Sequence, residues 1–229
     1  MVRAHVGEPD ELDPSPLLRS GGEGPQYRTA VTLYYGQQDL LEICMEHEWS
    51  LAHPLHDVDD IVELADSVFG QEADGILTRD RNVFRHRVTM AATEQLFNKG
   101  REFLAVCRGD MEINTMMGQG IQDDYLLGYC WFDRGGYTTY SNEEISNAKF
   151  HHVDLALSPR RRVNIIHEMI DQHILWAHTW GIPVICSTSI RAEHEGFMKI
   201  HKRRGFTVNG SYAWIRTEKA VELMKAGIE

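Results

Sequence analysis

Hydrophobic and polar positions along the second half of the chain predict strands and helices in alternation. Residues 150–159 are nearly all apolar or β-branched, which is typical of a buried strand. Residues 163–181 carry apolar side chains at helical spacing and end at a glycine. The pattern therefore predicts, in order, a strand at 150–159, a basic turn at 160–162, a helix at 163–181, a strand at 182–190, a helix at 193–205 and a strand at 206–216.

The first half of the chain begins with a segment that has no periodicity and then shows the patterns of strands and helices. Residues 1–26 hold four prolines and four glycines without an amphipathic period, so we expect an extended arm that could become ordered against a protein partner. Residues 27–229 are expected to form a single domain. Its predicted earlier elements are a strand at 27–35, helices at 37–51, 57–69 and 82–98, strands at 102–108 and 125–132 joined by a Gly- and Met-containing connection, and a polar loop at 133–148.

Two phrases of the chain carry a family resemblance. The first is LSPRRR after the buried strand, and the second is FMKIHKRRGF at the last predicted helix. With Leu157, Pro159, Arg162, Gly205 and Phe206 at matching positions, the chain resembles the GNAT superfamily of acyl-CoA N-acyltransferases. The resemblance implies an α/β (α+β) fold, in which a mixed, splayed β-sheet is flanked by helices.

The chain departs from the family's usual pattern at the phosphate-binding turn. Where the first family phrase usually has three glycines, this chain has Val163, Ile165 and His167, and where the second usually has tyrosine it has His201. Glycines allow the backbone to approach a phosphate closely, whereas a Cβ narrows the cradle. Two interpretations stay open: an acyltransferase with an irregular coenzyme loop, or a catalytically inactive scaffold of the same fold that serves as a binding or structural subunit of a larger assembly.

The resemblance implies an acetyltransferase-like enzyme that moves an acyl group from acetyl-CoA to an amine. In the family pattern, backbone N–H groups of the central strand polarise the thioester, and the arginines would hold the phosphates by charge-assisted hydrogen bonds. A solvated basic turn is the alternative for the arginines. We expect the central strand, at 152–158, to separate from the strand at 183–190 and leave a cleft. The implied coenzyme-binding residues are Leu155, Ala156, Leu157, Arg160, Arg161, Arg162, Val163, Asn164 and Ile165.

Three side chains are candidates for proton transfer. His201 lies at the position of the family's thiolate-protonating tyrosine, and a histidine near its unperturbed pKa can deliver a proton at neutral pH. Asp154 and His152 alternate with apolar residues of the central strand, so they share one face and either could act as general base. Structural roles are the alternative: a helix-surface histidine, or a strand carboxylate buried in an ion pair.

Acidic residues concentrate in the first third of the chain. The net charge is −11; residues 1–80, with 17 acidic and 4 basic residues, hold −13, and residues 81–229, with 17 acidic and 19 basic residues, hold +2. This distribution argues against nucleic-acid binding by the first 80 residues, because phosphate neutralisation needs Lys and Arg, and a nucleic-acid partner is not expected. It fits an acidic surface that faces a basic partner or a cationic acceptor, such as the amine-bearing small molecule or protein that the resemblance implies, although solubility alone would also account for it.

The sequence indicates neither a membrane nor a metal. No apolar run is long enough to cross a bilayer, and the N-terminus lacks a signal-peptide core. Four widely spaced cysteines without a C-x-x-C pair are typical of reduced, mostly buried thiols, so we expect a cytoplasmic protein. The histidines and aspartates between His53 and Asp60 offer ligands, but not at the spacing of a closed site, and no metal is expected.

Overall fold

The structure, a computed structural model, describes residues 46–73, 78–98, 100–115, 118–137, 139–189 and 194–208. The predicted arm at 1–26, the strand predicted at 27–35 and most of the strand predicted at 206–216 lie outside these residues, so the proposed domain division stays a prediction. The described elements are β1 (Glu48–Leu51), α1 (Val58–Ala73), α2 (Arg81–Phe97), β2 (Glu102–Thr115), β3 (Gly118–Tyr137), β4 (Glu144–Val153), α3 (Pro159–Thr179), β5 (Val184–Cys186) and α4 (Glu195–Arg203).

One mixed sheet of five strands organises the described chain, in the order β1-β2-β3-β4-β5. The first four strands are antiparallel. β5 pairs with β4 in parallel through three residue pairs, from Ile145 with Val184 to Asn147 with Cys186. Beyond these pairs β4 continues to Val153 without a β5 partner among the described residues. The predicted mixed and splayed sheet is therefore confirmed.

Helices cover both faces of the sheet, because successive strand residues point to opposite sides. One buried cluster joins α1 and α2 to the sheet and includes Ile61, Val62, Val88, Ala92, Leu104 and Tyr129. The other joins α3 to the opposite face and includes Phe132, Leu127, Ile165, Met169, Trp176 and Ala177. Each fully buried large apolar side chain contributes about 1.5–3 kcal/mol to folding. Within the described part of the chain, no helix combines the length and apolar character needed to cross a membrane.

α3 begins at Pro159, four residues before the predicted start. Ser158 is its N-cap, since the side-chain oxygen accepts a hydrogen bond from the Arg161 N–H at 3.4 Å. Proline suits the first helical position because its missing N–H would have no helical partner there. The predicted basic turn is therefore wrong: Arg160, Arg161 and Arg162 belong to the first turn of α3.

The central strand lies earlier than predicted, because β4 ends at Val153 and the prediction placed the strand at 152–158. Asp154 fixes this end. Its side chain accepts a hydrogen bond from the Ala156 N–H at 2.8 Å, and its carbonyl accepts one from the Leu157 N–H at 3.3 Å. The residues predicted to polarise a thioester from the strand therefore lie in the turn that leads into α3.

The polar loop predicted at 133–148 is wrong, because β3 continues to Tyr137 and β4 starts at Glu144. Tertiary partners make polar residues acceptable in these strands. The Arg134 guanidinium donates two hydrogen bonds of 2.6 Å to the Glu144 carboxylate, and buried Ser146 lies 2.6 Å from a histidine nitrogen of α3.

The other predicted elements differ mainly in length. The helices predicted at 57–69, 82–98 and 193–205 correspond to α1, α2 and α4. The end of the helix predicted at 37–51 is instead β1, whose alternating burial brings Trp49 into the core. β2 and β3 extend through most of the connection predicted between them.

Candidate functional site

A cleft of about 480 Å³ opens where β4 and β5 diverge. Its walls come from the second half of β4, the start of α3, the chain after β5 and α4. This size is within the range of small-molecule and cofactor sites. The lining includes Phe150, His152, Leu155, Arg162, Val163, Thr188, Phe197, Lys199, Ile200 and Arg203.

Arg162 is the basic residue that α3 places in the cleft wall. Its Nε atom is buried and has no hydrogen-bond partner among the described residues. A buried donor without a partner costs about 1–3 kcal/mol, and a charged one costs more, so an anionic ligand would offset this cost. The dipole of α3 also favours an anion near its N-terminus.

α4 contributes two further cations that the resemblance does not indicate. Lys199 and Arg203 are four residues apart, so they share one side of the helix, and both line the cleft. The sequence does contain this spacing, within the phrase FMKIHKRRGF. The sequence does not show that this side of α4 lies against the cleft, because that depends on how the chain returns after β5.

The two arginines beside Arg162 lie elsewhere, because successive helix residues are rotated by about 100°. Arg160 is exposed. Arg161 donates through Nη1 to the backbone carbonyl of Asp110 on β2 at 2.8 Å. Of the three arginines predicted to hold phosphates, Arg162 is the one that lines the cleft.

The backbone offers few amides to a phosphate at the start of α3. Pro159 has no N–H, the Arg161 N–H is bonded to the Ser158 side chain, and the Arg162 N–H donates to the Ser158 carbonyl at 3.0 Å. Val163, at one of the family's glycine positions, is 39% exposed and lines the cleft. Its side chain occupies space that a glycine would leave open. Anion binding here would therefore depend on side chains.

The remaining residues predicted from the resemblance divide between cleft, surface and core. Leu157 and Ile165 are buried in the cluster beneath α3. Ala156 is exposed, and the Asn164 side chain donates to the Glu46 carboxylate at 2.7 Å. The predicted coenzyme-binding residues that do line the cleft are Leu155, Arg162 and Val163.

His201 is 2% exposed in the last turn of α4 and packs against His151 of β4, with ring centroids 6.1 Å apart. Its Nδ1 donates to the Phe197 carbonyl at 3.0 Å, because a carbonyl can only accept. The neutral ring therefore has its lone pair at Nε2, which is buried without a partner among the described residues. Burial lowers the pKa of His201 and the Phe197 carbonyl opposes that shift. Proton donation from Nε2 would require the imidazolium form.

His152 and Asp154 are both buried and are held by different tyrosines. His152 lines the cleft, with Nδ1 2.6 Å from the Tyr129 hydroxyl. Asp154 accepts a 2.6 Å hydrogen bond from the Tyr125 hydroxyl, and this bond, with burial, raises the pKa of Tyr125 to about 12. Because Asp154 lies in the turn after β4, the prediction that it shares a strand face with His152 is wrong.

A cluster of histidine rings lies beside the cleft, and the sequence pattern did not indicate it. The ring centroid of His151 is 6.4 Å from that of His173 on α3, and His173 stacks on Phe132 at 4.0 Å. Burial lowers the pKa of His173 to about 3, and it lowers the pKa of His151 well below its usual value. These rings therefore pack as neutral aromatic groups at pH 7.

The fold that these elements form is similar to that of solved acetyltransferase structures. A probable acetyltransferase has a TM-score of 0.50 and 13% identity, with 74% of this chain and 98% of that chain covered. A predicted acetyltransferase from Clostridium acetobutylicum, solved with acetyl-CoA, has a TM-score of 0.52 and 12% identity over 75% of this chain and 97% of its own.

An aminoglycoside 6'-N-acetyltransferase from Acinetobacter baumannii is similar to the same extent, with a TM-score of 0.50 and 10% identity over 74% of this chain and 97% of its own. No family model matches the sequence, and no curated protein matches it. At these identities the likeness establishes the fold that the two sequence phrases indicated.

Proposed function

We propose that this protein is an acyl-CoA-dependent N-acyltransferase, with acetyl-CoA as the acyl donor and an amine as the acceptor. The observation that carries the proposal is the buried Arg162 Nε, a charged donor without a described partner in the wall of the cleft between diverging strands. Phosphate oxygens of a coenzyme would satisfy this donor by a charge-assisted hydrogen bond.

Side chains rather than backbone amides would hold the coenzyme phosphates. Arg162 from α3, with Lys199 and Arg203 from α4, places three cationic side chains on one cleft, and the α3 N-terminus adds its dipole. These side chains would take the place of a glycine-rich backbone loop that binds phosphate. The Val163 side chain leaves less room for a phosphate against the backbone. The presence of acetyl-CoA in the Clostridium acetobutylicum structure supports a coenzyme of this type for the fold.

His152 is the candidate general base, because it is a titratable side chain of β4 that lines the cleft. The Tyr129 hydroxyl, 2.6 Å from Nδ1, orients the imidazole. When bound, acetyl-CoA would supply the thioester whose acyl group is transferred. Leu155 lines the same region, where the family pattern uses backbone N–H groups to polarise a carbonyl. An amine acceptor would be attracted by the acidic first third of the chain.

A catalytically inactive scaffold of the same fold is the second candidate. Its specific support is the start of α3, where Pro159 and the Ser158 cap leave few amides for a phosphate and Val163 narrows the cleft. A protein of this kind would keep the sheet and helices but bind no acyl-CoA.

Calorimetric titration with acetyl-CoA at low salt tests the proposal. The wild-type protein should bind, and Arg162→Gln should bind about 10- to 100-fold more weakly, because a hydrogen bond to a charged group is worth about 1.5–3 kcal/mol. Arg160→Gln is the matched control, since it removes the same charge from an exposed position in the same turn and should bind like the wild type.

Equal losses in the two variants would show that charge alone, not the cleft geometry, determines binding. A wild-type protein without measurable affinity for acetyl-CoA or other acyl-CoA thioesters would reject the enzyme and favour the scaffold. For a protein that does bind, acyl transfer to a panel of amines would then identify the acceptor.

A further inference from the structure

Three metal-ligating side chains meet on the α3 side of the sheet, and none of them lines the acyl-CoA cleft. His47 precedes β1, Cys107 lies on β2 and Glu168 lies on α3. One ligand atom from each residue lies within 4.8 Å of the other two. The imidazole Nδ1 is 3.1–3.2 Å from the two carboxylate oxygens. Two nitrogen or oxygen ligands of a tetrahedral zinc ion lie about 3.3 Å apart, so the imidazole and the carboxylate already have the spacing of two zinc ligands.

We propose that His47, Cys107 and Glu168 bind one zinc ion. The donor set selects the metal: magnesium and calcium prefer oxygen ligands, whereas zinc accepts imidazole nitrogen, thiolate sulfur and carboxylate oxygen together. Within the part of the chain that the structure describes, this is the one group of three or more such side chains at metal-binding spacing.

Charge and burial favour a cation at this position. Cys107 is fully buried, and the side chains of His47 and Glu168 are 10% and 9% exposed. A doubly charged ion would balance the charges of one thiolate and one carboxylate at this buried position.

Outer contacts already hold the carboxylate in place. The Glu46 N–H donates to Oε1 of Glu168 at 2.8 Å, and the indole N–H of buried Trp49 donates to Oε2 at 2.8 Å. Such contacts orient a ligand before the metal arrives, and metal sites depend on them nearly as much as on the ligands themselves.

A groove of about 410 Å³ beside α3 provides a route from solvent, because Glu46, Glu168 and Asp171 line it. The three described donors leave the fourth position of a tetrahedral zinc for water or another ligand. The ion would fasten the chain before β1 to α3, the helix whose first turn carries Arg162. The site is independent of acyl transfer, so its test does not depend on the proposed reaction.

The test uses the full-length protein, stripped with a chelator and dialysed. Zinc is titrated in competition with a chromophoric chelator, and cobalt(II) is added separately as a spectroscopic probe. We expect one ion per chain and a thiolate-to-cobalt charge-transfer band in the near ultraviolet. Cys107→Ser should remove the band and weaken zinc binding more than about 100-fold, since loss of an outer contact alone costs about 10–100-fold.

Glu168→Gln keeps an oxygen that can accept from Trp49 but removes the ligand charge, and it should also weaken zinc binding. Cys186→Ser is the matched control, because it removes a partly buried thiol from β5 and should bind as the wild type does. Equal zinc affinity in Cys107→Ser and Cys186→Ser would overturn the proposal. If Cys107→Ser does not fold, as judged by circular dichroism, the wild-type cobalt spectrum decides: a spectrum without the thiolate band would overturn the proposal.

Discussion

His173 shows how a single buried ring couples the stability of this fold to pH. Its Nε2 lies 2.6 Å from the Ser146 hydroxyl, and the ring is 1% exposed against Phe132. Burial lowers its pKa from 6.5 to about 3. The unfolded chain therefore binds a proton at this residue more readily than the folded chain, and folding is disfavoured where that proton is bound.

The stability from neutral His173 should be present above pH 6.5 and be lost as the pH falls toward about 3. Between pH 7 and pH 5 this residue alone should lower the free energy of unfolding by about 2 kcal/mol. Urea denaturation at the two pH values measures the difference, in a range above the pKa values of ordinary carboxylates.

His173→Gln, which can still reach a hydrogen-bond partner but does not titrate, should show a smaller loss between pH 7 and pH 5. His86→Gln, at an exposed position of α2, should keep the wild-type dependence. The same pH dependence in both variants would mean that other groups produce the acid sensitivity.

At the scale of elements, the contact between β3 and α3 depends on the absence of a side chain at Gly128. A Cβ there would lie 2.7 Å from the His152 carbonyl oxygen and 2.8 Å from the Met169 Cε. The first of these atoms belongs to the backbone of the paired strand and cannot move aside. Gly128→Ala should therefore lower the free energy of unfolding by about 1–3 kcal/mol, the usual cost of overpacking.

Urea denaturation checks this cost, and Gly196→Ala is the control. Gly196 is in the first turn of α4, and a Cβ there would meet nothing within 4 Å. Alanine favours a helix by up to about 1 kcal/mol over glycine, so this variant should be as stable as the wild type or more stable. Equal destabilisation of the two variants would contradict the close packing inferred at Gly128.

Hydrophobic periodicity predicted those elements in which one side is apolar along its whole length. α1, α2 and α3 were recognisable because one side of each is apolar, and their predicted ranges overlap the observed helices. The polar halves of β3 and β4 could not be recognised as strands from the sequence. Their residues Arg134, Glu144 and Ser146 are acceptable in strands only through partners from elsewhere in the fold. β1 was missed because four residues are too few to establish a period.

The sequence predicted only those residues of the candidate site that lie in or near the family motif. Arg162 followed from the family phrase and Leu155 from the central strand that the resemblance implies, and both line the cleft. In a turn, the three arginines could all point toward one phosphate site. In a helix, successive side chains point in different directions, so Arg161 contacts β2 instead. Lys199 and the cluster of His47, Cys107 and Glu168 depend on contacts between distant segments, which a sequence pattern does not contain.

At the scale of the whole molecule, residues 1–26 should be dispensable for the stability of the domain. Their composition, with four prolines and four glycines, offers too little apolar surface to offset the entropy of ordering the chain. Deleting them should shift the thermal unfolding midpoint by less than about 2–4 °C, the shift that 1 kcal/mol produces in a chain of this size. Differential scanning calorimetry measures it.

The urea m-value serves as the control for this deletion, because it scales with the surface exposed on unfolding and should also stay unchanged. A large fall in the midpoint together with a smaller m-value would show that the arm packs as part of the domain.

The sheet also has a consequence for the order in which the protein can be made. Each described strand from β2 to β5 pairs with the strand that precedes it in the chain, so a growing chain can add strands in one direction as it leaves the ribosome. β1, β2 and β3 can pair, with α1 and α2 on one face, before α3 has been synthesised. Because α3, the chain after β5 and α4 form the remaining walls of the cleft beside β4, a nascent chain gains this cleft only when its described sheet is already complete.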